Sequence, residues 1–289
     1  MAAVTDTALA PPTVREVMAA LDARYPRVWA EQWDRVGPVL GDFDRPVETI
    51  LCVVDCVPET VEEAVDAGAA LIVAHHPLLL KGVSSVAPDT YKGRIVHRLI
   101  KADIALYVAH TNADVANPGV SDALAARLDL VLPRPLVPAA PGSPAEGGGR
   151  GAGRVGELAT PMRLADLATF VARRLPATAA GVRAAGDPDR VVRTLAVSGG
   201  AGDSFLRDAT AAGADAYLCA DLRHHPASEH LAAGGPALLD VAHWASERPW
   251  LDEVAGWLRA QFGVTALVSD LDTDPWTVHA VSPDKENHL

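Results

Sequence analysis

The sequence predicts an α/β protein built from two related α/β domains, and three observations carry that prediction. At 289 residues the chain is about twice a typical single-domain length of roughly 150. Short apolar runs alternate with helix-like segments along most of it, the order of elements that builds parallel sheets. The two halves also echo one another: Ile50 to His76 reads strand, helix, Ala-Gly-Ala, strand, and Thr194 to Asp221 repeats that order. The echo extends to the next strand. Val108-Ala109-His110 is followed four residues on by Asp114, and Val241-Ala242-His243 four residues on by Glu247. Short echoes also arise by chance in an alanine-rich chain. A duplicated α/β half whose strand ends meet at a shared cleft accounts for more of the pattern.

Taken in order, Thr13 and Glu16 form a capping box ahead of an apolar stripe at helical spacing, Val14, Val17, Met18, Leu21 and Tyr25, and Pro26 ends that helix. Ile50 to Val54 reads as a strand, Pro58 to Ala67 as a helix closed by Gly68, and Leu71 to Val73 as the next strand. A helix over Arg94 to Ile100 and a strand over Ile104 to Val108 follow, and then a short helix capped by Ser121 that runs to Leu128. Leu132 to Arg154 is rich in proline and then in glycine, which predicts a linker over 133–154 between domains at 12–132 and 155–289. Beyond it, Thr160 and Pro161 open a helix carrying Leu164, Leu167, Val171 and Leu175. Strands are expected at Val191 to Val197, Ala216 to Leu218 and Ala237 to Val241, with a helix from Asp203 to Gly213 between the first two. The chain closes with an amphipathic helix carrying Trp250, Val254, Trp257 and Leu258, then strand-like runs at Val264 to Val268 and Trp276 to Val281. The last part, about 249–289, is expected to pack back on the first domain.

Composition narrows the function classes. Hydrophobic residues at 49% and charged residues at 21% exclude a disordered chain. A formal charge of −12 argues against general nucleic-acid binding, because a phosphate polyanion is repelled by the average surface. Cys52, Cys56 and Cys219 are too few and odd in number for a disulfide framework. No apolar run approaches the roughly 20 residues of a membrane span, and no basic residue precedes the short apolar N-terminal stretch. A cytoplasmic protein is expected.

The chemistry concentrates at strand ends. His75 and His76 directly follow the apolar run Ala69 to Ala74, and where a strand ends and the chain turns, adjacent imidazoles can converge on one cleft. A lone histidine pair also occurs as an ordinary surface feature. His110 with Asp114, and His243 with Glu247, follow two further strands, and a histidine and a carboxylate four apart share one helical face, offering nitrogen and oxygen to one metal. Capping and surface hydrogen bonding produce the same spacing. Three strand ends of this kind, with no thiol among them, argue together for a site that holds one or two divalent metals. Asp221, His224 and His225 follow the strand at Ala216 to Leu218 and are candidates to support the ligands or touch substrate, beside a purely structural role. Cys52 and Cys56 lack a second cysteine pair and read as buried residues. Gly147 to Gly153 has neither a strand before it nor Lys-Ser or Lys-Thr after it, so it is not a phosphate loop.

Six motifs stand in one order from about Asp34 to Glu247: Asp34-Arg35-Val36-Gly37, AHHPLL, AHTNADVANPGVSDALAARL, GRVGEL at Gly153 to Leu158, Asp221 with His224-His225, and HWASE. In this the chain resembles the Nif-three-like family, often described as GTP cyclohydrolase 1 type 2 homologues. The resemblance implies a two-domain α/β subunit with a dinuclear metal centre in the cleft between the domains. It further implies two divalent ions per chain (Zn, Mn, Fe or Mg) and a homohexamer built as a trimer of dimers. It maps the metal ligands onto His75, His76, Asp114, His243 and Glu247, with His110 at a position near the metals. Five ligands for two ions leave coordination positions open, as a reactive centre requires. The expected function is metal-dependent hydrolysis of a nucleotide-like or phosphorylated small molecule by metal-activated water. In that reading Asp114 bridges the metals, and His110 or His225 handles protons. The alternative is a non-enzymatic metal-binding or scaffold and regulatory hexamer. The chain departs from many relatives at Arg35, where they carry Asn, and at Cys219-Ala220-Asp221, where they carry Thr-Gly-Asp. Some relatives also hold an inserted domain where this chain has its Pro/Gly-rich stretch.

Overall fold

The computed structural model describes residues 10–280. By their contacts these form two compact units, one of the residues up to His110 together with Val254–Leu271, the other of Thr111–Glu253 together with the residues from Asp272 on.

In the first unit the Thr13 hydroxyl accepts the Glu16 N–H while the Glu16 carboxylate accepts the Thr13 N–H, a reciprocal cap worth about 1 kcal/mol that starts α1 (Val14–Arg24). There follow β1 (Gly37–Leu40), β2 (Thr49–Val53), α2 (Pro58–Asp66), β3 (Leu71–Ala74), α3 (Tyr91–Lys101) and β4 (Ala105–Val108). β3 pairs parallel with β2 on one side and with β4 on the other, and β1 lies antiparallel outside β4. All four residues of β3 and of β4 are buried, which is why these strands read as unbroken apolar runs and not as alternating ones. The register sets Ala74 beside Val108, so the chain leaves both strands at neighbouring points.

The second unit contains α4 (Thr111–Val115), α5 (Val120–Arg127), β5 (Leu130–Pro138), β6 (Gly151–Arg163), α6 (Leu164–Arg174), β7 (Val182–Ala185), β8 (Val191–Ala201), α7 (Leu206–Ala211), β9 (Ala216–Ala220), α8 (His224–Ala232), β10 (Ala237–Val241) and the start of α9 (His243–Phe262). Its sheet runs β5-β6-β8-β9-β10-β7, with β8, β9 and β10 mutually parallel and β7 antiparallel outside β10. Leu167 and Val171 of α6 join Leu195, Leu218 and Leu239 of the central strands in its core. After α9 the chain supplies β11 (Thr265–Val268), which pairs parallel with β2 at the edge of the first sheet. Among the described residues no helix is long and apolar enough to cross a membrane.

The duplication goes further than the sequence echo. One order of elements, α-β-β-α-β-α-β, runs from α1 to β4 and again from α6 to β10. The strands also take equivalent places, since β1-β4-β3-β2 matches β7-β10-β9-β8, each with its antiparallel member at the outer edge. In each unit the last strand of the repeat, β4 or β10, is followed within two residues by a histidine, His110 or His243.

Several expectations need correction. Residues 133–154 do not form a linker: Leu130–Pro138 and Gly151–Arg163 pair as antiparallel strands of the second sheet. Proline survives there because β5 is an edge strand, whose outward N–H groups need no ladder partner. Gly151 serves close approach, since a Cβ there would lie 2.2 Å from the Val137 carbonyl oxygen. The contact boundary accordingly falls at His110/Thr111, not near residue 132. Thr160 and Pro161 belong to β6, and α6 starts at Leu164. Gly119, not Ser121, caps α5; its N–H donates to the Asp122 carboxylate at 2.8 Å, and Ser121 is buried inside the first turn. Residues 276–280 form no strand, and Val281 lies outside the described residues.

Candidate metal centre

In the first unit, the ends of β3 and β4 deliver His75, His76 and His110 to one place. Backbone pairing with the β2 end persists through the turn, with His75 N–H donating to Val53 O at 3.0 Å and His76 N–H to Val54 O at 2.9 Å. The ring centroids stand 5.0 Å apart for His75 and His76, 5.1 Å for His75 and His110, and 5.5 Å for His76 and His110. One ligand atom from each of the three lies within 4.8 Å of the others.

Each ring is oriented by an oxygen on Nδ1. His75, fully buried, places Nδ1 2.9 Å from the Ala109 carbonyl. A carbonyl only accepts, so Nδ1 carries the hydrogen and Nε2 is the ring nitrogen left to coordinate a cation. His76 Nδ1 lies 2.8 Å from Asp55 Oδ1, and His110 Nδ1 lies 2.9 Å from Oδ1 of the buried Asp34. Histidines that bind metals are characteristically held in this way.

The second unit builds a smaller version. The register sets Ala220 of β9 beside Val241 of β10, so Asp221 and His243 leave neighbouring strand ends. Asp221 Oδ2 sits 2.7 Å from His243 Nδ1, and Glu247, one turn along α9 and buried, places Oε1 3.1 Å from His243 Nε2. Burial by itself would depress the His243 imidazole, but the Glu247 charge and the hydrogen bonds to Asp221 and Glu247 prevail and push it up to about 11. The pair thus holds a proton between His243 Nε2 and Glu247 Oε1. Gly200 leaves room for it: a Cβ there would lie 2.4 Å from Glu247 Oε1 and 3.0 Å from His243 Nε2, at a φ of +68°. His243 and Asp221 also line a cavity of about 420 Å³ with Arg183, Asp240, Asp274 and Trp276.

These donors fit a divalent cation. Imidazole nitrogen with carboxylate oxygen suits Zn, Mn or Fe, and no thiol competes, because burial pushes Cys52, Cys56 and Cys219 up to about 12. Of the residues singled out by sequence, His75, His76 and His110 come together, and so do His243, Glu247 and Asp221. Asp114 lies half-buried on α4. His225 is exposed on α8 with its ring 5.1 Å from that of His224, and it does not line the cavity at His243. Sequence reasoning missed Asp55 and the part played by Asp34; the only available signal was their position at the end of β2 and inside the Asp-Arg-Val-Gly motif.

The family model for Duf34/NIF3 (NGG1p interacting factor 3) matches residues 12–275. The chain is 55% identical over 278 residues to a GTP cyclohydrolase 1 type 2 homolog of Streptomyces coelicolor, covering 94% of this chain and 96% of that one. It is 37% identical to the protein of the same name from Mycobacterium tuberculosis over 370 aligned residues, covering 91% and 96%. That alignment is longer than this chain, so the mycobacterial protein carries additional residues inside the matched span. A solved Bacillus cereus protein related to NIF3 superposes with a TM-score of 0.84 at 26% identity, covering 93% of this chain and 100% of the other. Fold and sequence agree: the chain belongs to the Duf34/NIF3 family.

Proposed function

We propose that this protein is a metal-dependent hydrolase of a nucleotide-like or phosphorylated small molecule. Its ligands in this reading are His75, His76, Asp114, His243 and Glu247, holding two divalent ions per chain from among Zn, Mn, Fe and Mg. The observation that carries the reading is the common anchoring of four imidazoles, with Nδ1 of His75, His76, His110 and His243 lying 2.7–2.9 Å from an oxygen. Such anchoring fixes ring orientation and makes Nε2 the atom that would face a cation. Bound divalent ions supply Lewis-acid polarisation and a water nucleophile near neutral pH.

The chain's own residues do the rest. Two divalent ions held by five side chains would offer open coordination positions to a phosphate oxygen, even though Asp34, Asp55 and Asp221 stand behind the histidines and the chain carries −12 overall. His110, steadied by Asp34, is positioned to hold or pass a proton, and His225 is assigned a supporting role toward substrate. Relatives named GTP cyclohydrolase 1 type 2 homolog support a nucleotide-like substrate. The proposal includes a homohexamer, a trimer of dimers, in the cytoplasm.

Elemental analysis after supplementation with each metal, followed by a screen of nucleotides and phosphoesters, tests it. About two ions per chain, with turnover lost to chelator and restored by metal, is the expected result. A metal content near zero overturns the reading. A loaded protein that turns over none of these compounds leaves a metal-binding scaffold in its place.

A further inference from the structure

The loop that carries Asp34 holds two outward side chains that the metal chemistry does not use. Trp33 is 55% exposed, large for the residue type with the most apolar surface to hide, and its ring stands 5.9 Å from that of His110 at 79°. Arg35 is exposed as well. Between them Asp34 points inward, buried, with Oδ1 accepting the Arg35 N–H at 2.7 Å and lying 2.9 Å from His110 Nδ1. Arg35 Nη1 donates to the carbonyl of Asp34 at 2.6 Å and to that of Gln32 at 3.4 Å, which ties the guanidinium to its own loop. The carboxylate that orients a histidine of the cluster is therefore flanked in sequence by an aromatic ring that packs against that histidine and by a cation whose backbone it holds. An exposed aromatic ring stacks on any nucleobase, whereas a guanidinium takes a phosphate.

We infer that Trp33 and Arg35 are the specificity-determining residues of this centre, taking a nucleoside monophosphate-like ligand with its heteroaromatic ring on Trp33 and its phosphate on Arg35. This rests on the hydrolase reading above and adds the recognition element to it. A purely structural role for Trp33 is poorly served by a ring left half in water. Arg35 likewise makes no described ion pair with another element, so its charge remains for an outside anion.

The test uses the metal-loaded full-length protein and calorimetric titration with GMP, AMP, guanosine and ribose 5-phosphate. Trp33→Leu is expected to weaken GMP and AMP about tenfold or more, as loss of one stacked base does, and to leave ribose 5-phosphate within about twofold. Trp33→Phe should restore most of the loss. Arg35→Gln is expected to weaken GMP and ribose 5-phosphate alike and leave guanosine unchanged. Metal per chain should equal wild type in all three variants. If the wild type binds and turns over nucleotides while Trp33→Leu and Arg35→Gln bind them equally well, this inference falls and the hydrolase reading stands. If the loaded wild type binds neither nucleotide, this inference falls, and the hydrolase reading is decided separately by metal content and the phosphoester screen. Loss of metal in Trp33→Leu makes Trp33 a support of His110 and overturns its assignment to the ligand.

Discussion

His75 is held by the backbone of the neighbouring strand end, its Nδ1 2.9 Å from the carbonyl oxygen of Ala109. Because the acceptor is main chain, no side-chain substitution removes it, and the tautomer of His75 is set by the pairing of β3 with β4. Ala109 itself donates to Ala74 O at 3.0 Å, so the sheet register and the imidazole orientation are one structure. His76, His110 and His243 depend on carboxylates, and those are open to mutation.

Asp55→Asn tests that dependence. The amide keeps an acceptor 2.8 Å from His76 Nδ1 but loses the charge that makes the ring a better donor to a cation. Metal affinity should fall about 10-fold to 100-fold with the thermal midpoint of the metal-free protein nearly unchanged. Competition against a chelator of known affinity measures it, and an affinity equal to wild type would contradict the anchoring role.

Gly200→Ala should empty the His243 and Glu247 pair. The added Cβ meets Glu247 Oε1 at 2.4 Å, and the φ of +68° is strained for any L side chain, at a cost of about 1–3 kcal/mol. Reduced metal per chain together with a lowered midpoint is expected. The same substitution at Gly213, also at positive φ but with nothing within 4 Å of its Cβ, should lower stability and leave metal untouched. Equal metal contents in the two variants would remove the steric argument.

Alkaline pH should weaken the fold. Burial pushes Cys52, Cys56 and Cys219 up from 9.0 to about 12, and it pushes Tyr107 and Tyr217 up as well. Between about pH 9 and 12 the unfolded chain releases thiol protons that the folded chain retains, so stability is complete below 9 and declines as pH rises. Each thiol contributes up to about 1.4 kcal/mol per pH unit in that window. Urea midpoints at pH 8 and 10.5 measure the decline, and thiol alkylation at pH 8 should be negligible until denaturant is added. Rapid alkylation of the native protein would show the thiols are not buried as described.

Much of this architecture was legible because the physics is local. The Thr13 and Glu16 cap, the apolar run Leu71 to Ala74 and the turn at Gly68 each announce their element within a few residues. The histidines were legible for the same reason, lying directly after apolar runs. Strands β5 and β6 were not, because their prolines and glycines signal a loop locally and become a strand only through an edge position and a partner. Asp55 was invisible for a related reason, since its bond to His76 spans 21 residues of sequence and exists only once β2 and β3 pair.

Asp114→Asn and Glu247→Gln separate metal ligation from helix chemistry. Both carboxylates lie on helices, and if they served only the helix, the amides would replace them at a cost of a few tenths of a kcal/mol to about 1 kcal/mol with metal content unchanged. If they are ligands, each substitution leaves divalent charge less compensated and metal content falls. For Glu247→Gln the metal-free fold should survive: His243 keeps Asp221 at 2.7 Å and, without the Glu247 charge, can shed its proton and avoid an unpaired buried cation. Asp114 is the proposed bridge between two ions, so its loss should reduce metal per chain by more than that of Glu247. Metal analysis and thermal midpoints on both variants decide. Unchanged metal in Asp114→Asn beside lost metal in Glu247→Gln would reduce the proposal to ligands on the histidine sets alone, and unchanged metal in both would remove the carboxylates from the centre.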